Sequence, residues 1–276
     1  MSDQDEPKLG GSSFEEEFPN LLKKVDKQHH EYIESIVKNP IREFQKSSVD
    51  DYLKLIEEKG IGHALAFAYD ARDYSKGNAW EQAQMNVMNS ILPPVKVAAE
   101  ILKKAVSEKE PIAVKWFPEA NGNPREIKEA MEPLLKEENE ECKLWAAIHL
   151  SKHAPQTEGL EEILKDGLKK DWIAYKLENS SSGITGKGEC AKALSRLGDK
   201  AKPACDELES QLKSDSIDAA DASEIAGTLF QLTKNLNLVL AGLAAVAERV
   251  LTAKRGFGLH TGDREMLNSL RNLFQK

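Results

Sequence analysis

Cysteines, aromatic residues and long apolar runs are all scarce in this chain of 276 residues. The three cysteines form no CxxC pair, which predicts reduced, buried thiols in a cytoplasmic protein. The longest apolar run, residues 238–247, is much shorter than the roughly 20 apolar residues of a transmembrane helix, so it predicts a buried helix and no membrane partner. The first residues are acidic and polar, which excludes a secretory signal peptide at this end.

Basic residues are also in the minority. The chain has 46 acidic and 38 basic residues, which give a net charge of −8. Binding to nucleic acid requires concentrated Lys and Arg, so the composition argues against a general nucleic-acid binder and leaves only a local basic patch open. The charge is unevenly spread, at −5 over residues 1–20 and +4 over residues 249–276. We predict a disordered acidic tail over residues 1–17. The basic end either docks an acidic partner or this tail, or simply reflects a solvated charge distribution.

No stretch alternates apolar and polar residues with period two, so the sequence predicts an all-α fold. Apolar residues at three- and four-residue spacing predict an N-terminal helical region over residues 18–110, with one helix over 49–58 that stops at Lys59-Gly60. Residues 111–124 hold three prolines and an Asn-Gly-Asn triplet, which predict a Pro-rich loop between this region and the rest.

The C-terminal half contains an internal repeat. Residues 146–155 align with residues 190–199 at an offset of 44, and the same offset places Leu164 over Leu208 and Leu168 over Leu212. Each copy reads as a helix rich in small residues, a break, and a second helix with leucines four apart. Helix pairs that recur every 40–47 residues or so are typical of HEAT-type solenoids. Residues 95–106 form a weaker copy at an offset of 48.

The pattern C-A-x-A-L-x-x-L-G-x-x-A-x-P-A-x-x-x-L, from Cys190 to Leu208, resembles the bacterial HEAT-like repeat, including the type found in phycobilin lyase subunits. In such repeats the glycine, here Gly198, allows the turn between helices. The proline, here Pro203, lies in the first turn of the second helix, where its missing N–H costs little. The resemblance implies a HEAT-like α-solenoid of stacked antiparallel helix pairs over residues 125–253. A less regular helical half would precede it and a capping helix over residues 254–276 would close it.

The resemblance further implies an extended surface that binds another protein, and it implies neither an enzyme nor a cofactor. We therefore expect a non-catalytic protein-binding or scaffold module. One alternative is an accessory subunit or enzyme that resembles the phycobilin lyases and binds a small prosthetic group. A second alternative is nucleic-acid binding through a local basic groove.

Cys142, His149 and His153 are the strongest metal-like set, because positions i, i+7 and i+11 of a helix share one face. The repeat alignment, however, places the two histidines over Ala193 and Leu197, which are packing positions between helices. No fourth ligand follows from the spacing. We predict histidines packed at a repeat junction and no metal.

Trp116 and Phe117 are candidate binding residues, because exposed aromatic side chains in a Pro-rich loop concentrate binding energy. The alternative is that the loop packs them against the body. Lys254 and Arg255 are the other candidates, from the basic end. Residues 183–188 (GITGKG) lack the GxxxxGK[ST] spacing of a phosphate-binding loop and predict a flexible connection, whose amides before a helix could attract an anion.

Overall fold

The computed structural model divides the chain into two compact units, residues 1–121 and 122–276. It describes residues 20–38, 43–74, 92–170, 172–175, 184–214, 217, 219–240 and 243–244. Over these ranges the chain is helical apart from one very short strand pair, which confirms the all-α prediction. The predicted acidic tail, the predicted capping helix, Lys254 and Arg255 lie outside the described residues. No helix among the described residues is long and apolar enough to cross a membrane.

The N-terminal unit is built from six α-helices over its described residues. They are α1 (Leu21–Lys24), α2 (His30–Lys38), α3 (Glu43–Lys59), α4 (Ile61–Tyr74), α5 (Val95–Ser107) and α6 (Pro111–Asn121), with a 3₁₀ turn at Lys27–His29. Helix α3 ends as predicted, with Gly60 in the left-handed region at φ +92°. Helices α4, α5 and α6 pack on one another. The α4–α5 approach is close, because a Cβ added at Gly62 would lie 2.5 Å from the Cβ of Ala105.

The Pro-rich loop predicted over residues 111–124 is wrong, because most of this range is helix α6. Pro111 is the first residue of the helix, where the missing N–H leaves no helical hydrogen bond unmade. The amides of Ala113 and Val114 both bond to the carbonyl of Glu110 at 3.0 Å and start the helix. The helix continues past Pro118 to Asn121, and Gly122 follows it at φ +68°. The prolines and the Asn-Gly-Asn triplet therefore mark one helix end and the next helix start.

The C-terminal unit contains six further α-helices whose bounds the structure gives, and residues 236–240 are helical as well. The six are α7 (Pro124–Met131), α8 (Glu140–His153), α9 (Leu160–Leu168), α10 (Gly186–Leu197), α11 (Cys205–Leu212) and α12 (Ala219–Thr233), with 3₁₀ segments at Glu132–Lys136 and Gly198–Ala204. Asparagines cap two of these helices. Asn123 Oδ1 accepts from the amide of Arg125 at 3.1 Å, and Asn139 Oδ1 accepts from the amides of Glu141 and Cys142 at the same distance.

The helices of this unit pack in pairs. Helix α8 contacts α9 and α10, and α12 contacts both α10 and α11. Gly198 lies in the left-handed region at φ +58° directly after α10, as a turn glycine requires. Pro203 was predicted in the first turn of the second helix. It lies instead in the 3₁₀ segment just before α11.

Two short strands interrupt the helices. Strand β1 (Ile173–Tyr175) pairs antiparallel with β2 (Ile184–Thr185), and the amide of Gly186 bonds to the carbonyl of Trp172 at 2.8 Å. The flexible connection predicted over residues 183–188 is therefore wrong for its second half, because Gly186, Lys187 and Gly188 form the buried first turn of α10.

Candidate functional site

The two predicted aromatic binding residues lie inside the N-terminal unit. Trp116 is 7% exposed and Phe117 is fully buried, so the prediction of an exposed aromatic surface is wrong. The indole of Trp116 stacks on Tyr69 with ring centroids 6.3 Å apart. Its Nε1 donates to Asp70 Oδ1 at 2.9 Å. Helix α6 turns both side chains towards α4 and α5, where they contribute to the core.

A buried ion pair accompanies these aromatic residues. Lys115 Nζ donates to the same Asp70 oxygen, and the lysine side chain is only 6% exposed. The ammonium also lies 4.9 Å from the Trp116 ring centroid, within the range of a cation–π contact. The pair is thus satisfied by its own neighbours, as a buried charge must be to remain charged.

A buried pair of tyrosine hydroxyls is the second polar feature of this unit. The hydroxyls of Tyr32 and Tyr52 are 3.0 Å apart. Burial is the main cause that raises the pKa of both side chains above the usual value for tyrosine, with neighbouring Tyr69 adding to the effect. Both phenols are therefore neutral, and the pair serves as a hydrogen bond between helices α2 and α3.

His29 is a buried titratable group in the same unit, at 4% exposure. Burial lowers the pKa of His29, while the nearby carboxylates of Asp26 and Glu100 partly oppose this and the charges of Lys104 and His30 add to it. A histidine whose pKa is lowered in the folded state favours folding in its neutral form. The contribution of His29 to the free energy of unfolding is then fully present above the unfolded pKa of about 6.5. It declines as the pH falls below that value.

We expect the substitution His29→Gln to reduce the acid sensitivity of the fold. The melting temperature of the native chain should fall more than that of the variant between about pH 7.5 and pH 5.5, because only the native chain must accommodate a buried imidazolium. Thermal unfolding followed by circular dichroism at both pH values measures the difference. Parallel declines of the two proteins would contradict the assignment.

The three candidate metal ligands all lie on α8. Cys142 is buried at the start of the helix, and His149 and His153 are partly exposed further along. The His149 ring stacks on Trp145 with centroids 6.0 Å apart and an interplanar angle of 26°. Among the described residues no group of three or more His, Cys, Asp or Glu side chains is arranged to hold a metal ion. Packing against Trp145 accounts for the position of His149.

Trp145 belongs to a buried cluster that joins the two repeat copies. Its indole meets Trp172 edge-on, with centroids 5.4 Å apart. Trp172 in turn covers Gly186, where an added Cβ would lie 1.7 Å from the indole Cε2. Burial raises the pKa of the neighbouring Cys190 thiol far above its usual value, so the thiol stays protonated and acts as a small apolar group.

The start of α10 is occupied by a carboxylate of the protein itself. Asp221, 1% exposed at the start of α12, accepts a hydrogen bond of 2.8 Å from the amide of Gly188. A Cβ at Gly188 would lie 2.7 Å from this same oxygen. Asp221 therefore takes the place of the external anion that the glycine-rich segment was expected to attract.

The C-terminal unit has an open groove with a volume of about 1030 Å³. It lies between α7 with its following 3₁₀ segment and the turn that joins α8 to α9. Its apolar lining comes from Pro133, Leu135, Ala154 and Ile163. We call this surface the α7–α9 groove.

The charged lining of the α7–α9 groove is mixed, with three carboxylates and two ammonium groups. Glu129, Glu132 and Glu158 line it together with Lys128 and Lys136. Arg125 pairs with Glu129 at 2.9 Å, and Lys128 lies 3.9 Å from Glu132. The sequence alone did not predict this groove. Its walls come from segments about 30 residues apart, and the charged residues of each segment are typical of a solvent-exposed helix face.

The walls of the groove are held by local hydrogen bonds. Lys200 Nζ reaches across from the second repeat copy to Gln156 Oε1 at 2.6 Å. The amide of Thr157 bonds to the carbonyl of Ala154 at 3.0 Å, and Gly159 turns the chain into α9 at φ +79°. These bonds connect the turn that lines the groove to the helices on either side of it. Comparison of the whole chain with models of protein families, with curated proteins and with solved structures finds no match.

Proposed function

We propose that the chain is a non-catalytic protein-binding or scaffold module of the cytoplasm, whose C-terminal unit stacks HEAT-like helix pairs. One observation carries the proposal: hydrogen bonds join positions that lie one repeat apart to within one residue. Arg196 Nη1 donates to Ser151 Oγ at 3.4 Å across 45 residues, and Lys200 donates to Gln156 across 44. The second separation equals the 44-residue offset of the sequence and the first differs from it by one residue, so each bond links one copy to the next.

The packing between copies also supports this proposal. A Cβ added at Gly167 in α9 would lie 2.6 Å from Cys190 Sγ in α10, so the small residues permit a close approach of successive pairs. Thr228 in α12 continues the series by donating to the carbonyl of Ala191 at 3.0 Å. Repeats that contact mainly their sequence neighbours form extended surfaces suited to binding other macromolecules.

The α7–α9 groove favours a protein over a small prosthetic group as the occupant. Sites for small molecules are mostly enclosed cavities of about 300–1,000 Å³ that bury most of the ligand. This groove has a comparable volume but is open to solvent and is lined by charged as well as apolar side chains. Such a lining matches the mixed character of a protein–protein interface. The three free thiols fit a reducing compartment.

Affinity capture with the full chain tests this function. The tagged chain is recovered from its native cells at low and at moderate salt, beside an unrelated bait of similar net charge. Eluates are analysed by mass spectrometry and by an absorbance scan from the ultraviolet to the visible. We expect a stoichiometric protein that resists moderate salt and is missing from the control bait. A coloured or nucleic-acid-rich eluate without such a protein would overturn the proposal.

A further inference from the structure

The helices α8, α10 and α12 place their C-terminal ends side by side. Gln231 Nε2 in the last turn of α12 donates to the carbonyl of Ser195 in α10 at 3.4 Å. Arg196, the next residue of α10, donates from Nη1 to Ser151 Oγ in the last turn of α8, also at 3.4 Å. Helix α10 packs on both of the other helices. The three ends therefore lie in the order α8, α10, α12.

Each of these three helix ends carries an exposed basic residue. Lys152 lies in the last turn of α8, Arg196 lies in the last turn of α10, and Lys234 directly follows α12. The alignment of the two repeat copies places Lys152 over Arg196, so the basic residue recurs with the repeat. We call Lys152, Arg196 and Lys234 the basic row.

The basic row is a positive surface in an acidic part of the chain. Residues 122–244 contain 22 acidic and 16 basic residues, a net charge of −6. Five basic and two acidic residues, a net charge of +3, lie in the three helix-end segments 151–158, 195–202 and 231–235. Of the two acidic residues, Asp199 pairs with Lys202 at 3.0 Å, and Glu158 belongs to the lining of the α7–α9 groove. The positive charge of the row is therefore largely uncompensated by its own segments.

No cation of the basic row has a carboxylate partner among the described residues, whereas eight other Lys and Arg side chains of this unit form ion pairs. Arg196 donates instead to the neutral hydroxyl of Ser151, and Lys234 Nζ lies 5.9 Å from the ring centroid of Phe230. The partial negative charge at a helix C-terminus favours a cation there but amounts to only about half an elementary charge. The row is thus available to an external anion.

The spacing of the basic row selects the conformation of an acidic partner. Packed helices lie about 8–10 Å apart, so successive cations of the row are separated by about that distance. A polyproline II segment rises about 3.1 Å per residue with three residues per turn, which places every third side chain on one side at intervals of about 9 Å. Carboxylates at positions i, i+3 and i+6 of such a segment therefore meet Lys152, Arg196 and Lys234 in order. Arg196 in the centre has further N–H groups for a bidentate contact with a carboxylate.

We propose that the basic row binds an extended acidic segment of a partner protein, with Asp or Glu at every third position. This inference rests on the protein-binding function and specifies the surface and the chemistry of the partner. A peptide is favoured over nucleic acid, because nucleic-acid binding requires concentrated positive charge and this unit is acidic outside the row. A basic segment of the same shape is repelled by the three cations.

The test uses a fluorescein-labelled peptide of four Glu-Pro-Pro triplets, which holds the glutamates three residues apart in a polyproline II helix. One comparison peptide has lysine in place of each glutamate, and another has the same composition with the four glutamates adjacent in its centre. Anisotropy titrations at low ionic strength compare the full-length chain with Lys152→Glu/Lys234→Glu. The matched control is Lys169→Glu/Lys213→Glu, which makes the same charge change at the C-terminal caps of α9 and α11, where both lysines pair with carboxylates.

We expect the Glu-Pro-Pro peptide to bind the native chain and the control variant, and to bind Lys152→Glu/Lys234→Glu about tenfold more weakly, because two attractive charges become repulsive. The peptide with adjacent glutamates should bind the native chain more weakly, since its carboxylates cannot reach all three cations at once. The lysine peptide should bind none of the proteins. Arg196→Gln should also weaken binding of the Glu-Pro-Pro peptide, although its amide can still donate to Ser151. Melting temperatures of all variants establish that the fold is retained.

Equal losses in the row variant and the control variant, equal binding of the two glutamate peptides, absence of binding, or binding of the lysine peptide would each overturn this proposal. A labelled oligothymidine that binds the native chain more tightly than the Glu-Pro-Pro peptide, and loses its affinity in Lys152→Glu/Lys234→Glu, would also overturn it. Nucleic acid would then be the occupant of the row.

The affinity capture separates failure of this proposal from failure of the general function. A stoichiometric partner that is still captured by the Lys152→Glu/Lys234→Glu bait would retain the protein-binding function and refute the basic row as its site. Loss of that partner from this bait, but not from the Lys169→Glu/Lys213→Glu bait, would support both.

Discussion

Replacing Lys115 by methionine should destabilise the N-terminal unit by about 3–5 kcal/mol, because removing one partner of a buried ion pair leaves the other charge uncompensated. Asp70 and Lys115 have side chains that are 12% and 6% exposed, so water cannot solvate the remaining carboxylate well. The hydrogen bond from Trp116 Nε1 at 2.9 Å would persist but brings no formal charge. Urea unfolding of the full chain, followed by circular dichroism and tryptophan fluorescence, measures the loss.

Two further variants identify the cause of this loss. Lys104→Met makes the same substitution at a lysine that pairs with Asp26 at 2.8 Å, where both side chains are at least half exposed, and should have little effect. Asp70→Asn/Lys115→Met removes both charges and keeps an oxygen that accepts from Trp116, so it should recover much of the stability lost in the single variant. If the double variant is less stable than Lys115→Met, the unpaired charge is not the cause.

The helices of the two repeat copies could be predicted because their signals are local and periodic. Small residues and leucines four apart recur at a fixed offset, and the structure has helices in both copies. Gly60 and Gly198 could likewise be predicted as helix ends, because a positive φ after a helix strongly favours glycine. Such features depend on the conformation of a few neighbouring residues, so the local sequence is enough to predict them.

Helix α6 was missed because the same residues are typical of two different structures. Proline and asparagine are common in loops, but they are equally common at the first turn and cap of a helix. Packing of α6 into the hydrophobic core favours the helix over the loop. Trp116 and Phe117 gain more from burial against α4 and α5 than they would from exposure in a loop, and this long-range contact leaves no trace in the local pattern.

The polar contacts of the structure could not be read from the sequence for a related reason. Asp70 and Lys115 are 45 residues apart, and Gly188 and Asp221 are 33 apart. Each of these charged residues resembles the many solvated ones in a chain that is 30% charged. The same is true of Glu132 and Glu158 in the α7–α9 groove, whose shared surface arises only when the segments before α8 and after it come together.

Gly186 offers the second large effect, because its hydrogen atom faces the indole of Trp172. The substitution Gly186→Ala would place a Cβ 1.7 Å from Cε2 and 2.1 Å from Cζ2 of that ring. The indole cannot move freely, since it packs edge-on against Trp145. We expect a loss of about 1–3 kcal/mol or more from overpacking, together with a change in tryptophan fluorescence in the native state. Thermal and urea unfolding of the full chain measure the loss.

Gly227→Ala is the matched control, and its effect should have the opposite sign. Gly227 lies within α12, is exposed, and has no atom within 4 Å of an added Cβ. Alanine there should stabilise the helix by about 0.5–1 kcal/mol, because it restricts the unfolded chain more than glycine does. Combining Gly186→Ala with Trp172→Leu should recover part of the loss, since the smaller side chain leaves room for the methyl group. Equal effects of the two alanine variants would mean that helix propensity, rather than the contact with Trp172, determines the response at Gly186.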